Sequence, residues 1–160
     1  MAKTLGRSLV EVIGHRSEAL AQVVLTRLPE VFPVRVDIGD IDFFAFLDKD
    51  EGREMFRFFA VIVKGAPRVG TVQAANKLGK TLQDNLAGKV YIFPTLVLAC
   101  SMDDEKVFSA WHMEPSIVNN EPKLTKRRTM DFTEFTVDVL RTTVNRVNDW
   151  YKCTIEEIIE

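Results

Sequence analysis

The sequence contains little cysteine and little histidine. Its 160 residues include two cysteines, Cys100 and Cys153, and two histidines, His15 and His112. The two thiols lie far apart, and none of these four residues stands in the spacing of a zinc site. Two thiols without a disulfide framework indicate a reducing compartment, so we expect a cytoplasmic protein.

Long apolar runs and an excess of charge are also lacking. No stretch approaches the roughly 20 apolar residues that cross a bilayer, and no apolar core of a signal peptide follows the N-terminal M-A-K-T-L-G-R-S-L. The formal net charge is −2, so contact with nucleic acid would need a local basic patch. The apolar content of 46% predicts one globular domain over residues 1–160, with no membrane partner.

Two apolar runs around a charged turn organise the chain. The runs I-D-F-F-A-F-L and R-F-F-A-V-I-V-K flank D-K-D-E-G-R-E. This pattern predicts adjacent antiparallel strands over residues 41–47 and 57–64, in the middle of a sheet. Both faces of the second run are apolar apart from Lys64, which is typical of a strand covered on both sides.

Helical spacing of apolar residues recurs in three places. It predicts helices over residues 8–29 and 71–87 and a long helix from about residue 131 onward. Gly14 suggests a break in the first helix, and Ser17 suggests a cap for its main part. D-F-T-E at 131–134 fits a capping box for the last helix.

Further strands are expected in V-R-V-D, in V-Y-I-F-P-T-L-V-L-A-C and in K-V-F-S-A-W-H, whereas residues 113–128 have the composition of a loop. Helices therefore precede, interrupt and follow the strands. The expected fold class is α/β or α+β, with a mixed central β-sheet flanked by helices.

Three charged residues are candidates for chemistry: Glu18 in the first helix, and Asp42 and Lys64 in the paired strands. Magnesium is bound by one or two carboxylates together with substrate oxygens, and the ion would polarise a phosphodiester and activate a water. A nearby lysine offsets charge that develops on the phosphate. The alternative is an aspartate that solvates a turn and a lysine that extends from a strand edge into solvent.

A set of short motifs resembles one known family. G-H-R-S-E-A-L-A-Q, G-D-I-D-F, A-V-I-V-K-G, F-P-T-L-V-L-A-C and F-S-A-W-H-M-E-P occur over roughly residues 10–115. Their order and spacing resemble the PD-(D/E)XK nuclease-like superfamily, and within it the family called domain of unknown function 4365. The resemblance implies a restriction-endonuclease-like fold, magnesium-dependent cleavage of DNA, and a setting in bacterial or phage defence or mobile elements.

The resemblance also implies roles for individual residues. By position, Glu18 matches the first-helix glutamate, Asp42 the metal-binding aspartate and Lys64 the catalytic lysine, so Glu18 and Asp42 would be the metal ligands. The family usually has Glu or Gln two residues before that lysine, where this chain has Ile62. One ligand is then missing unless Glu18, Asp40 or Gln73 substitutes.

The missing ligand leaves two functions open. The first is a magnesium-dependent nuclease-like domain with a degenerate site. The second is a catalytically inactive nuclease fold that serves as a nucleic-acid or protein interaction module. We expect Ile62 to point the same way as Lys64 and to leave an apolar gap beside the site.

The run K-L-T-K-R-R is the most basic segment of the chain. Clustered lysine and arginine neutralise phosphates without reading sequence, so Lys123, Lys126, Arg127 and Arg128 are candidate nucleic-acid-binding residues, with Arg68 and Lys80 as possible neighbours. A solvated loop before a helix is the alternative.

The last helix carries an apolar seam. Residues at spacings of three and four would pack either on the chain's own sheet, which we favour, or on a second copy in a dimer. The domain would accordingly be a monomer or a homodimer. The seam consists of Val137, Leu140, Val144, Val147 and Tyr151.

Overall fold

A computed structural model of the chain describes residues 8–48 and 56–159. The turn D-K-D-E-G-R-E and the first residues of the N-terminal segment therefore lie mostly outside the described residues. The elements are, in chain order, α1 Leu9–Leu25, β1 Val31–Ile38, β2 Ile41–Leu47, β3 Phe58–Ala66, α2 Val72–Leu86, β4 Thr95–Ser101, β5 Val107–Val118, β6 Glu121–Lys126, β7 Thr133–Glu134 and α3 Val137–Ile158.

The strands form one mixed sheet. Its order is β1-β2-β3-β4-β5-β6, and β7 pairs with β5. Among the described strands, only β3 and β4 run parallel, with α2 as the crossover between them, and the other neighbours are antiparallel. β2 and β3 pair antiparallel, with Phe43 opposite Val61, which confirms the predicted strand pair and its place inside the sheet.

The two faces of the sheet carry separate cores. Alternate residues of β3 divide between them: Phe59, Val61 and Val63 belong to the core that α1 and α3 cover. Ala60 and Ile62 belong to the core beneath α2. Because both faces are buried, β3 reads as an almost continuous apolar run, as predicted. The fold is thus a mixed α/β domain with helices on both faces of the sheet.

Helix α1 is continuous, contrary to the predicted break. Ser8 caps it, and Glu11 completes a capping box by accepting from the Ser8 backbone N–H. Gly14 lies within the helix. Ser17 is buried instead of capping, and its hydroxyl donates to the Ile13 carbonyl at 2.7 Å. The cap at Ser8, directly before the helix, outweighs the weak helix-breaking tendency of a single glycine.

The prediction of a loop over 113–128 is wrong. β5 continues to Val118, and β6 returns along it from Glu121 to Lys126. The two residues between them, Asn119 and Asn120, have φ values of 52° and 61°. Positive φ at both positions defines the tight hairpin turn that suits twisted strands, and asparagine tolerates it better than most residues. The Asn-Asn pair was the signal of a hairpin.

Two further boundaries differ from prediction. The last helix begins at Val137 with Thr136 as its cap, because Thr133–Glu134 pair with β5 as strand β7. The fourth strand begins only at Thr95, after Pro94. In both cases pairing with β5 or β3, rather than local propensity, determines where the element starts.

The seam of α3 packs on the chain's own core, as favoured. Leu140, Val144 and Val147 are buried together with β-sheet residues, and the Tyr151 hydroxyl donates to the Phe58 carbonyl at 2.9 Å. Val137, at the helix start, is the more exposed end of the seam. Within the described residues, no helix combines the length and the apolar composition that crossing a membrane requires.

Candidate functional site

The site lies where β2 begins and β3 ends. Since the two strands are antiparallel, the first residues of β2 lie beside the last residues of β3. Asp42 is partly buried there, and its Oδ2 accepts a hydrogen bond of 2.7 Å from the Val63 backbone N–H. This bond holds the carboxylate across the strand pair, toward the end of β3 that carries Lys64.

Helix α1 brings Glu18 to the same end of the sheet. The helix crosses β3 at Gly65 so closely that a Cβ atom on this glycine would lie 1.8 Å from Ser17 Oγ and 2.9 Å from Ile13 Cγ2. Only a residue without a side chain permits this approach. Glu18 follows Ser17 in the helix, so the contact at Gly65 determines how near its carboxylate comes to β2.

Asp37, near the end of β1, supplies a third carboxylate that the sequence did not single out. One oxygen from each of Glu18, Asp37 and Asp42 lies within 4.8 Å of the others. Asp37 has a φ of 47°, in the left-handed region, and it interrupts the pairing of β1 with β2 between Arg35 and Ile38. A positive φ is uncommon at a non-glycine residue, and aspartate adopts it more readily than most. We call these three residues the carboxylate cluster.

The environment of Asp42 opposes ionisation. The pKa of Asp42 is raised to about 6, chiefly by burial, and the carboxylates of Glu18 and Asp37 act in the same direction. The hydrogen bond from Val63 and the charge of Lys64 act in the opposite direction. Three acidic groups at close range repel one another unless a positive charge lies among them.

Arg35 supplies part of that positive charge. Its Nη2 lies 2.8 Å from Glu18 Oε2, and its Nε donates to Asp37 Oδ2 at 2.9 Å. Glu18 Oε2 is itself buried, yet no donor among the described residues reaches it in hydrogen-bonding geometry. The contact with Nη2 is therefore an ion pair that is not aligned as a hydrogen bond.

Lys64 lies close enough to Asp42 to influence its charge. Within residues 8–48 and 56–159 it forms no ion pair. The structure thus brings together the three residues singled out in the sequence, Glu18, Asp42 and Lys64, although they come from α1, β2 and β3. An ammonium without a carboxylate partner at this point can meet an oxyanion.

Ile62 does not border a gap. Its side chain has no solvent exposure and packs in the core beneath α2, with Val97 of β4 as its strand neighbour. The expected apolar gap is filled by protein. Asp40, one proposed substitute for the missing ligand, forms an ion pair with Lys89 and does not belong to the carboxylate cluster.

The basic run lies on the opposite edge of the sheet. Lys123 pairs with Glu121 at 3.3 Å, and Lys126 donates to the Ala87 carbonyl. Arg127 pairs with both Glu114 and Asp131, each at 3.1 Å. Arg128 lines a cleft of about 390 Å³ between α2 and the segment before β7, which Lys80 also lines. Three of the four candidate nucleic-acid-binding side chains thus already have partners within the chain.

The carboxylate cluster has the donors that a hard divalent cation prefers. Magnesium takes oxygen ligands, usually one or two carboxylates supplemented by water and substrate oxygens. Three carboxylate oxygens in close proximity, one buried oxygen without a hydrogen-bond donor, and the excess of negative over positive charge all fit such an ion.

Three comparisons with known proteins gave no match. No protein-family model matches the chain, and neither the curated proteins nor the solved structures contain a significant match.

Proposed function

We propose that the domain binds a magnesium ion at the carboxylate cluster and acts on phosphodiesters of DNA as a nuclease-like domain with an altered site. The observation that carries this proposal is the convergence of Glu18, Asp37 and Asp42 oxygens within 4.8 Å of one another. The position of Lys64 beside Asp42 supports it. Carboxylates and a lysine at one strand end are the groups that the resemblance to PD-(D/E)XK nucleases requires.

Each residue has a role that follows from its surroundings. Glu18, Asp37 and Asp42 would hold the ion, which supplies a Lewis acid for the phosphate and lowers the pKa of a water. Asp42 is kept in place by the hydrogen bond that its Oδ2 accepts from the Val63 N–H. Lys64 would stabilise negative charge on a phosphate oxygen.

Asp37 would replace the metal ligand that position 62 cannot supply, because this chain has an isoleucine there. The family's glutamate or glutamine lies on the strand of the lysine, but in this chain that position is part of the core. Asp37 reaches the cluster from β1 instead. We infer from this exchange that the fold is restriction-endonuclease-like with a relocated ligand, supported by helix α1 and by the paired strands β2 and β3.

A second candidate is an inactive nuclease fold used as a binding module. Ile62 favours it, because a fully buried isoleucine cannot bind a metal or orient a water. The pairing of Arg35 with two of the three carboxylates also favours it, since a protein cation already offsets part of the negative charge.

Calorimetric titration with MgCl₂ and MnCl₂ tests the proposal. We expect one weak site in the natural protein and its loss in Asp42→Asn, which keeps the side-chain shape and the acceptor for Val63. The matched control is Asp149→Asn, at an exposed position of α3, which should bind like the natural protein. Absence of binding in all three folded proteins would contradict the proposal.

Nicking of supercoiled plasmid distinguishes the two candidates. With Mg²⁺ or Mn²⁺, cleavage that Asp42→Asn and Lys64→Ala both abolish supports a nuclease. Metal binding without cleavage of double- or single-stranded DNA supports the binding module.

A further inference from the structure

We propose that Arg35 is a built-in competitor of the metal, and that its release from the carboxylate cluster sets the concentration of divalent cation at which the site fills. The inference rests on the proposed function, because it concerns the same three carboxylates. It assigns a role to a residue that no motif singled out.

The contacts of Arg35 define the competition. Its guanidinium joins Glu18 of α1 to Asp37 of β1, through contacts of 2.8 Å and 2.9 Å. Two of the three cluster members thus have an oxygen engaged by one cation. A guanidinium is always charged and prefers to bridge carboxylates, so it offsets one of the three negative charges while no metal is bound.

A metal and the guanidinium cannot share these oxygens at low cost. Both are cations, and within a few ångströms they repel each other. A divalent ion coordinated by Glu18 and Asp37 would draw on the same two carboxylate charges that Arg35 now offsets. The two states are therefore alternatives, one with Arg35 inside the cluster and one with the ion inside.

Arg35 is placed so that it can leave. It lies on β1, the edge strand of the sheet, and its backbone is paired with Phe43 of β2. Its side chain is 51% exposed, so the guanidinium can move into solvent without any change in the sheet. Glu18 and Asp42, by contrast, are held by the close packing of α1 at Gly65 and by the Val63 N–H.

The contact of Arg35 with Glu18 is less well aligned than its contact with Asp37. Arg35 reaches this buried oxygen at ion-pair distance but not in hydrogen-bonding geometry. A guanidinium that fitted the cluster as a permanent partner would donate along its N–H bonds to both carboxylates. It does so only toward Asp37.

The test is calorimetric titration of MgCl₂, and separately of MnCl₂, into the natural protein, Arg35→Gln and Arg35→Lys. We expect Arg35→Gln to bind roughly tenfold more tightly, the factor that loss of one charged contact represents. Arg35→Lys keeps the charge but not the bridging fork, so an intermediate affinity is expected. Arg68→Gln is the matched control, because it removes an exposed arginine that pairs with Asp103, and it should leave the affinity unchanged.

The outcomes separate the two proposals. The competition is supported if Arg35→Gln binds the metal ion more tightly than the natural protein does. This gain must be lost in the double variant that also carries Glu18→Gln. Equal or weaker binding in Arg35→Gln than in the natural protein overturns it, while the metal site itself stands. If neither protein binds either ion and both are folded, the metal site and the competition fail together. Circular dichroism and a thermal melt in EDTA establish that each variant is folded.

Discussion

Two charged clusters at different places in the sheet differ in the ratio of acidic to basic side chains. The carboxylate cluster sets three acidic groups against Arg35, with Lys64 near Asp42. The second cluster lies between β5 and α3: Glu114 receives Arg127 at 3.1 Å on one oxygen and Arg146 at 2.9 Å on the other, and Arg127 also pairs with Asp131. We call it the arginine cluster.

The difference indicates what each cluster does. In the arginine cluster two cations face two carboxylates, and both oxygens of Glu114 have partners, so nothing further is required for stability. In the carboxylate cluster three acidic groups share one arginine, the buried Glu18 Oε2 accepts no aligned hydrogen bond from the described residues, and the pKa of Asp42 is raised. Such departures from local balance are expected at functional sites. The balanced cluster ties α3 to the sheet, and the unbalanced one is suited to a ligand.

The largest effect is expected from breaking the carboxylate cluster through its packing. In Gly65→Ala the new methyl group would collide with Ser17 and Ile13, so α1 must move away from β3. We expect a loss of about 3 kcal/mol in the free energy of unfolding, together with weaker metal binding as Glu18 is displaced. Denaturant unfolding and calorimetry measure the two effects.

Gly14→Ala is the control for that change. Gly14 lies in the same helix with nothing within 4 Å of an added Cβ, and alanine favours helix over glycine by about 1 kcal/mol. This variant should be more stable than the natural protein. A Gly65→Ala variant with unchanged stability would show that α1 is not held by this contact.

An effect of opposite sign is expected at Asp42. Because its pKa is about 6 in the folded protein and near 3.8 as the reference value, the folded state binds the proton more tightly. This contribution to stability is present at low pH and is lost as the pH rises from about 4 to 6. Asp42→Asn has no such loss, so in metal-free buffer it should exceed the natural protein in stability by about 2 kcal/mol at pH 7.

The measurement is denaturant unfolding of both proteins between pH 4 and pH 7.5 in EDTA. The stability difference should grow with pH and level off above about pH 6.5. A constant difference over this range would mean that Asp42 does not titrate with a raised pKa. Asp149→Asn, at an exposed aspartate of α3, serves as the control.

The smallest effect is expected from the arginine cluster. Glu114→Gln leaves Arg127 and Arg146 without their shared carboxylate, and these partly exposed pairs contribute about 1 kcal/mol. The variant should be slightly less stable at low salt, with the difference shrinking at high salt because surface pairs are screened. An increase in stability, as expected for Asp42→Asn, would remove the distinction between the clusters.

The fold was largely predictable because its signals are local. Helical spacing identified the three helices of the described residues, and two apolar runs around a charged turn identified β2 and β3 and their pairing. Three of the errors concern residues whose state depends on β5: it recruits 121–126 and 133–134 as strands, and the short strand at 133–134 delays the start of α3 to Val137. A strand that forms only because it can pair with the edge of a neighbouring strand leaves no pattern in its own local sequence.

The candidate site was predictable in part. Glu18, Asp42 and Lys64 were singled out, and the structure brings them together at one end of the sheet. Asp37 and Arg35 were not, because their position depends on the irregular end of β1 and on a helix that begins more than 25 residues earlier in the chain. The neighbouring glycine and the second aspartate in D-I-G-D were a weak signal of such a turn.

By itself, the sequence determined the periodic elements, the two-sided burial of β3 and the residue types available for chemistry, since these follow from side chains two to four positions apart. Only the tertiary structure decided which charges meet. The close approach of α1 at Gly65, the left-handed residue Asp37 and the placing of Arg35 between two carboxylates arise from packing between distant segments. The excess of carboxylates over cations, on which the proposed metal site rests, is a property of that packing, because repulsion among carboxylates acts only at short range.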